Sequence, residues 1–250
     1  MLNITDHGPV REIRLDRPPV NALNPELVQQ LTQALNQAAE ECDAVILSGR
    51  EGMFSAGLDV PALLQLDRPA MGAFWNSFIG LLETVARMPV PTVAAITGHS
   101  PAGGAVISLF CDYRVMTDGK YKVGLNETQV GLMLPASIHG ALVRLVGPHT
   151  AERMIVSGAL MSPDQALSAG FLDAIAEDHE ATMGEALNWC TAHLALPRHA
   201  MLGNRQRMRA SLTAVFDGDG VEAEEEFIAA WFDDATQSTL QALVASLGKK

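Results

Sequence analysis

Thr92-Val93-Ala94-Ala95-Ile96-Thr97, Gly98-His99-Ser100-Pro101-Ala102-Gly103-Gly104 and Tyr113-Arg114-Val115-Met116 decide the fold class. The first is a continuous apolar run of the kind found in strands covered on both faces. The second reads as a glycine-rich turn opening an apolar helix that runs to about Cys111, and the third returns as a strand. Together they make a strand-turn-helix-strand unit, which belongs to an α/β fold.

The same grammar extends on both sides. Ala44-Val45-Ile46-Leu47 is another short apolar run, and Val10, Ile13 and Leu15 sit among charges ahead of Pro18-Pro19, as in a half-buried strand ended by prolines. At Asn24-Pro25-Glu26 a helix begins: Asn24 can cap it, Pro25 suits its first position, and Leu27, Leu31, Leu35 and Ala38 recur at helical spacing. Phe74, Phe78, Leu81, Leu82, Val85 and Met88 mark a long amphipathic helix stopped by Pro89 and Pro91. Beyond Pro135 the pattern is mostly helical. Met183, Leu187, Cys190 and Leu194 form one stripe; Phe227, Ile228, Trp231 and Phe232, then Leu240, Leu243, Val244 and Leu247, form two more. The aromatic anchors suit packing on the chain's own domain or on a neighbouring subunit.

Composition narrows function by exclusion. A chain of 250 residues, 48% of them hydrophobic, can bury one substantial core without disulfides. Its net charge of −12 disfavours nucleic acid and anionic membrane surfaces as partners. No run approaches the roughly 18 apolar residues of a membrane span. Cys42, Cys111 and Cys190 are widely spaced and read as reduced, buried thiols in a reducing compartment. The seven histidines show no metal-ligand spacing, and no Gly-x-Gly-x-x-Gly element follows the first strand. Neither a metal nor a nicotinamide or flavin cofactor is therefore expected. Residues 1–8 lack the basic and apolar regions of a targeting segment, so the expected location is cytoplasmic.

Chemistry-bearing residues gather in two glycine loops and one acidic segment. Gly52-Met53-Phe54-Ser55-Ala56-Gly57-Leu58-Asp59 follows one apolar strand, and Gly98 to Gly104 follows the next. Glycine lets backbone approach a ligand closely, and two free amides can hold a developing oxyanion. Gly124-Leu125-Asn126-Glu127-Thr128 then supplies a lone carboxylate. One carboxylate suits moving a proton within a substrate, whereas adding water across a double bond usually recruits two acid/base groups. Alone, Glu127 reads more readily as an exposed loop carboxylate or a cap on the following turn than as a catalytic base.

The composite is more specific than its parts. Phe54-Ser55-Ala56-Gly57-Leu58-Asp59, Pro101-Ala102-Gly103-Gly104, Cys111-Asp112-Tyr113-Arg114 and Gly124-Leu125-Asn126-Glu127-Thr128-Gln129 together resemble the crotonase, or enoyl-CoA hydratase/isomerase, superfamily. Within it the chain looks most like the mitochondrial-type 3,2-trans-enoyl-CoA isomerases. The resemblance covers nearly the whole chain and is firmest between about Val45 and Asp173. It implies an α/β spiral of repeated ββα units over residues 1–195. Residues 196–250 would be a helical C-terminal region of the same structural unit, assembling a homotrimer or a dimer of trimers. It also implies an acyl-CoA substrate, with coenzyme A as part of that substrate rather than a separate cofactor.

By the same resemblance the amides of Ala56 and Gly103 correspond to the pair that holds the thioester oxygen. Ala56, Gly57, Leu58, Asp59 and Val60 would line the acyl-CoA channel, Asn126 would adjoin the acyl site, and Glu127 would be the catalytic carboxylate. An apolar channel should raise its pKa towards neutrality. Where a hydratase carries a further catalytic Glu, this chain has Val106, as the isomerases have an apolar residue there. The expected activity is a shift of a 3,4 double bond to the 2,3 position. Hydration by an enoyl-CoA hydratase, another crotonase-type reaction and a non-catalytic acyl-CoA-binding protein are the alternatives. Arg14, Arg17 and Lys249 could meet the phosphates of coenzyme A, but read more readily as surface charge. Gly98-His99-Ser100-Pro101-Ala102 also approximates a serine-hydrolase nucleophile elbow, though Ala102 replaces its final glycine.

Overall fold

Successive turns of the chain lay one strand into a large sheet and one short strand into a small one. The computed structural model describes residues 1–217 and 220–247, the side chains of 220–223 and 247 excepted; Lys249 lies outside the described residues. In chain order the elements are β1 (Leu2–His7), β2 (Val10–Leu15), α1 (Pro25–Glu41), β3 (Ala44–Ser48), β4 (Gly52–Met53), α2 (Val60–Leu63) and α3 (Arg68–Arg87). Next come β5 (Thr92–Ile96), β6 (Gly98–Pro101), α4 (Gly103–Leu109), β7 (Tyr113–Thr117), β8 (Val123–Gly124), and a 3₁₀ turn over Glu127–Val130. The remainder is α5 (Ala136–Val146), α6 (Pro148–Ser157), α7 (Pro163–Ser168), β9 (Ala174–Ala176), α8 (His179–Leu194), α9 (Arg198–Met208), α10 (Ala210–Thr213), a second 3₁₀ turn over Ala214–Phe216, α11 (Gly220–Trp231) and α12 (Asp234–Leu247).

The large sheet runs β1-β2-β3-β5-β7-β9 and the small one β4-β6-β8. Apart from the antiparallel β1–β2 pair, every pairing is parallel. This is the α/β spiral that the sequence motifs imply. Gly98–Pro101 corrects one expectation: it is a strand, Gly98 paired with Gly52 and Pro101 with Gly124, rather than part of a turn. Helix α4 also stops at Leu109, short of Cys111, because the amides of Phe110 and Cys111 tighten back onto Ile107 and Ser108.

Alternation explains why β3 and β5 are apolar on both faces. Val45, Leu47, Ala94 and Ile96 face the main core with α1, α3 and α4, while Ala44, Ile46, Val93 and Ala95 face a second core closed by α8. The α8 stripe, Met183, Leu187, Cys190 and Leu194, packs there. Burial pushes the Cys111 and Cys190 thiols up to about 12, so they behave as small apolar groups. At the head of α1, Asn24 Oδ1 accepts from the Leu27 amide at 2.9 Å, a cap worth about 1 kcal/mol.

One buried carboxylate ties the C-terminal helices to the spiral. Asp112, at the start of β7, accepts from Arg205 of α9 at 2.8 Å and from Arg209 at 2.7 Å, and also from the Thr92 amide at 2.8 Å. Burial alone would raise its pKa, but Arg209 and Arg205 outweigh that and hold it below the usual carboxylate range. Farther along, Trp231 is wholly buried and Phe227 stacks on Trp75 of α3, so these anchors pack within the chain itself. None of the described helices is long and apolar enough to cross a membrane.

Candidate active site

The three strands of the small sheet deliver three segments to one place. After β4 comes the loop Phe54–Asp59, after β6 the start of α4 at Gly103, and after β8 the turn bearing Glu127. Parallel pairing of β4, β6 and β8 puts all three at the same, C-terminal edge, where ligands of open parallel sheets bind. Ala102 N donates to Gly124 O at 2.8 Å, fixing the second segment against the third.

Glu127, Gly103, Leu58 and Val106 line one small cavity, whose other walls are apolar. Among the described residues Glu127 is its only ionisable lining group. Its Oε2 is shut off from solvent and has no hydrogen-bond partner. Desolvation therefore pushes the carboxyl up to about 7, against a weaker lowering by a backbone hydrogen bond. Thr128 Oγ1 donates to Ile155 O at 2.7 Å and the Leu132 amide to Glu127 O at 3.0 Å, which pins the turn on both sides.

The amide donors need a correction. Ala56 N already donates to Val20 O at 2.9 Å, so that amide is spent. Gly57 N is taken by Ser55 Oγ at 3.1 Å. The amides of Leu58 and Gly103 have no partner among the described residues. They are neighbours: a Cβ built on Gly103 would lie 3.5 Å from Leu58 N, and one built on Gly57 would lie 3.0 Å from Gly103 N. Two free amides converge beside Glu127, and the second belongs to Leu58, two residues beyond Ala56.

The remaining expected residues separate into lining and support. Of Ala56 to Val60, Leu58 alone lines the Glu127 cavity. Asp59 is buried, caps α2 through the Ala62 amide and pairs with Arg17 at 2.6 Å. Val60 is half-buried at the start of α2, and Asn126 adjoins the site with its Oδ1 buried and unpaired. Arg17 is thus committed to the loop rather than free for phosphate. Ser100 is wholly buried in β6, with no hydrogen-bond partner for its hydroxyl, which removes the nucleophile-elbow reading. Among the described residues, no group of three or more His, Cys, Asp or Glu could hold a metal.

A cradle under the loop carries no motif in the sequence. Asn21 is wholly buried at φ 51° and donates to Leu15 O and Phe54 O at 3.0 Å each, while its Oδ1 accepts from the Arg17 amide at 2.8 Å. Leu23 N donates to Gly57 O at 2.8 Å and Asp59 N to Leu23 O at 3.0 Å. These bonds leave the Leu58 amide, between them, pointing away from the cradle. The available signal was an Asn between prolines and an apolar residue, a residue type that tolerates positive φ.

The comparisons agree with this architecture. A family model described as Enoyl-CoA hydratase/isomerase matches residues 5–244. The human protein named enoyl-CoA delta isomerase 1, mitochondrial, is 29% identical over 95% of this chain and 80% of its own length. A Mycobacterium tuberculosis protein named probable enoyl-CoA hydratase EchA17 is 32% identical over 75% of this chain and 72% of its own. The crystal structure of human mitochondrial delta3-delta2-enoyl-CoA isomerase superposes with a TM-score of 0.93 at 29% identity, covering 99% of this chain and 98% of that one. With its spiral fold, its converging amides and a match across nearly its whole length, the chain belongs to the enoyl-CoA hydratase/isomerase family.

Proposed function

We propose that the protein is an enoyl-CoA isomerase that shifts a 3,4 double bond of an unsaturated acyl-CoA into 2,3 conjugation. Glu127 removes a proton from C2; the electron pair moves onto the thioester oxygen, where the Leu58 and Gly103 amides hold the dienolate. The pair then returns through C2=C3, and protonated Glu127 delivers its proton to C4. Atoms and charge balance without added water, metal or cofactor, coenzyme A being part of the substrate. The observation that carries the reading is that Val106 and Glu127 line one apolar cavity: among the described residues the pocket has one acid/base group and no second one to activate water.

Hydration is the second reading, supported by the similarity to the mycobacterial probable hydratase. Valine cannot activate water, which weighs for isomerisation. The proposal extends to a homotrimer or dimer of trimers in the cytoplasm. Exposed apolar side chains such as Met208 and Val156 support the assembly, and sedimentation tests it. Glu127→Gln is the test of the chemistry: isomerisation should fall by about 10²- to 10⁴-fold with acyl-CoA affinity retained. Equal loss of binding and turnover would make Glu127 structural, and intact turnover would remove it from the mechanism.

A further inference from the structure

The cavity that holds Glu127 ends on an aromatic pair. Trp75 of α3 and Phe227 of α11 both line it, with ring centroids 3.5 Å apart and planes within 3° of parallel. The free space left is about 20 Å³, which is room for about one water molecule. A thioester with its reacting carbons at Glu127 therefore meets the aromatic pair with its distal end.

The two rings are not equally fixed. Trp75 sits in the middle of the 20-residue helix α3, backed by Phe78 at 5.9 Å. Phe227 belongs to the shorter α11, where Glu224 Oε2 accepts from Asn76 Nδ2 of α3 at 2.8 Å. Its Oε1 lies over Gly72, where a Cβ would come within 2.6 Å, so the carboxylate takes this position because residue 72 has no side chain. The rings lie face to face with little offset, an arrangement their quadrupoles disfavour relative to offset or edge-on packing. Helix seating, rather than ring attraction, holds the contact, and Phe227 is the ring on the shorter helix.

We infer that the Trp75–Phe227 pair sets the acyl length this site accepts. Acyl-CoAs whose chain ends short of the pair bind with it closed, and longer chains bind only by displacing Phe227. The inference rests on the acyl-CoA reading of the site, and its test measures binding separately from turnover. Dissociation constants for butanoyl-, hexanoyl-, decanoyl- and hexadecanoyl-CoA are measured on the full chain, since saturated chains cannot react. The expected wild-type protein binds hexanoyl-CoA at least threefold tighter than decanoyl-CoA. Phe227→Ala should move that ratio at least tenfold towards decanoyl-CoA, and Phe227→Leu by an intermediate amount. A wild-type preference for decanoyl-CoA, or a ratio that both variants leave unchanged, overturns the inference; the wild-type ratio decides even where a variant fails to fold. Isomerisation of 3-hexenoyl-CoA is recorded beside it. Its absence with the length profile intact would count against the reaction and not against the aromatic stop.

Discussion

Val106 and Glu127 line the same cavity: the valine is buried, and the carboxylate's Oε2 has no partner among the described residues. The base must be ionised to take a proton, and burial sets its pKa at about 7. Isomerisation kcat/KM in the free enzyme should therefore rise about tenfold per pH unit below 7 and level off above it. A bell whose falling limb disappears with a pocket mutation would reveal a second titrating group and contradict the single-base account.

Glu127 also makes stability depend on pH. Its carboxyl holds a proton up to about 7 in the folded chain, against an ordinary value of 4.5. Between those values the folded state binds more protons than the unfolded one, so stability falls as pH rises through that window. Glu127→Gln removes the desolvated charge. Thermal unfolding should show a higher Tm than wild type at pH 8, the difference closing by pH 5; equal Tm values throughout would mean the carboxylate is solvated.

Gly57 has φ 86°, and a Cβ there would meet the Ala102 Cβ at 2.8 Å and Gly103 N at 3.0 Å. Alanine at 57 would strain the backbone by roughly 1–2 kcal/mol and push apart the two free amides. Losing one donor of such a pair costs about 10²- to 10³-fold in kcat. Gly57→Ala should show that loss in kcat with the fold retained by circular dichroism; wild-type kcat would show that the amides do not act together.

Asp112 anchors α9 to the spiral through Arg205 and Arg209. Asp112→Asn leaves Arg205 and Arg209 largely buried without their carboxylate partner, a change that costs about 3–5 kcal/mol when a buried pair is broken. Because its folded pKa lies below the ordinary 3.8, wild-type Asp112 contributes fully at neutral pH. That contribution is lost as pH falls below 3.8. Denaturant melts at pH 7 should show the loss, and a variant within about 0.5 kcal/mol of wild type would mean the guanidinium groups find water instead.

Much of this was legible in the residues, because local chemistry carried it. The apolar runs Ala44–Leu47 and Thr92–Ile96 were strands, Asn24 capped α1, and the glycine loops with Glu127 converged on one edge. Cys111-Asp112-Tyr113-Arg114 was legible as a motif but not as a brace, since Arg205 and Arg209 lie more than ninety residues away. The donor amide slipped from Ala56 to Leu58 for the same reason: which amide stays free depends on the hydrogen bond to Val20, made across the fold. Strands β4, β6 and β8 are two to four residues long and rich in glycine, and carry too little side-chain alternation to be read before their partners are known.

The central claim is that one carboxylate and two amides move a proton and do not add water. The most direct test follows 3-hexenoyl-CoA isomerisation by growth of the conjugated enoyl-thioester absorbance, with hydration of 2-hexenoyl-CoA measured on the same purified protein. The account predicts growth of the conjugated band, abolished in Glu127→Gln, and hydration at least a hundredfold slower than isomerisation. Hydration as fast as isomerisation, or hydration alone, would contradict it and would require a second acid/base group where Val106 stands.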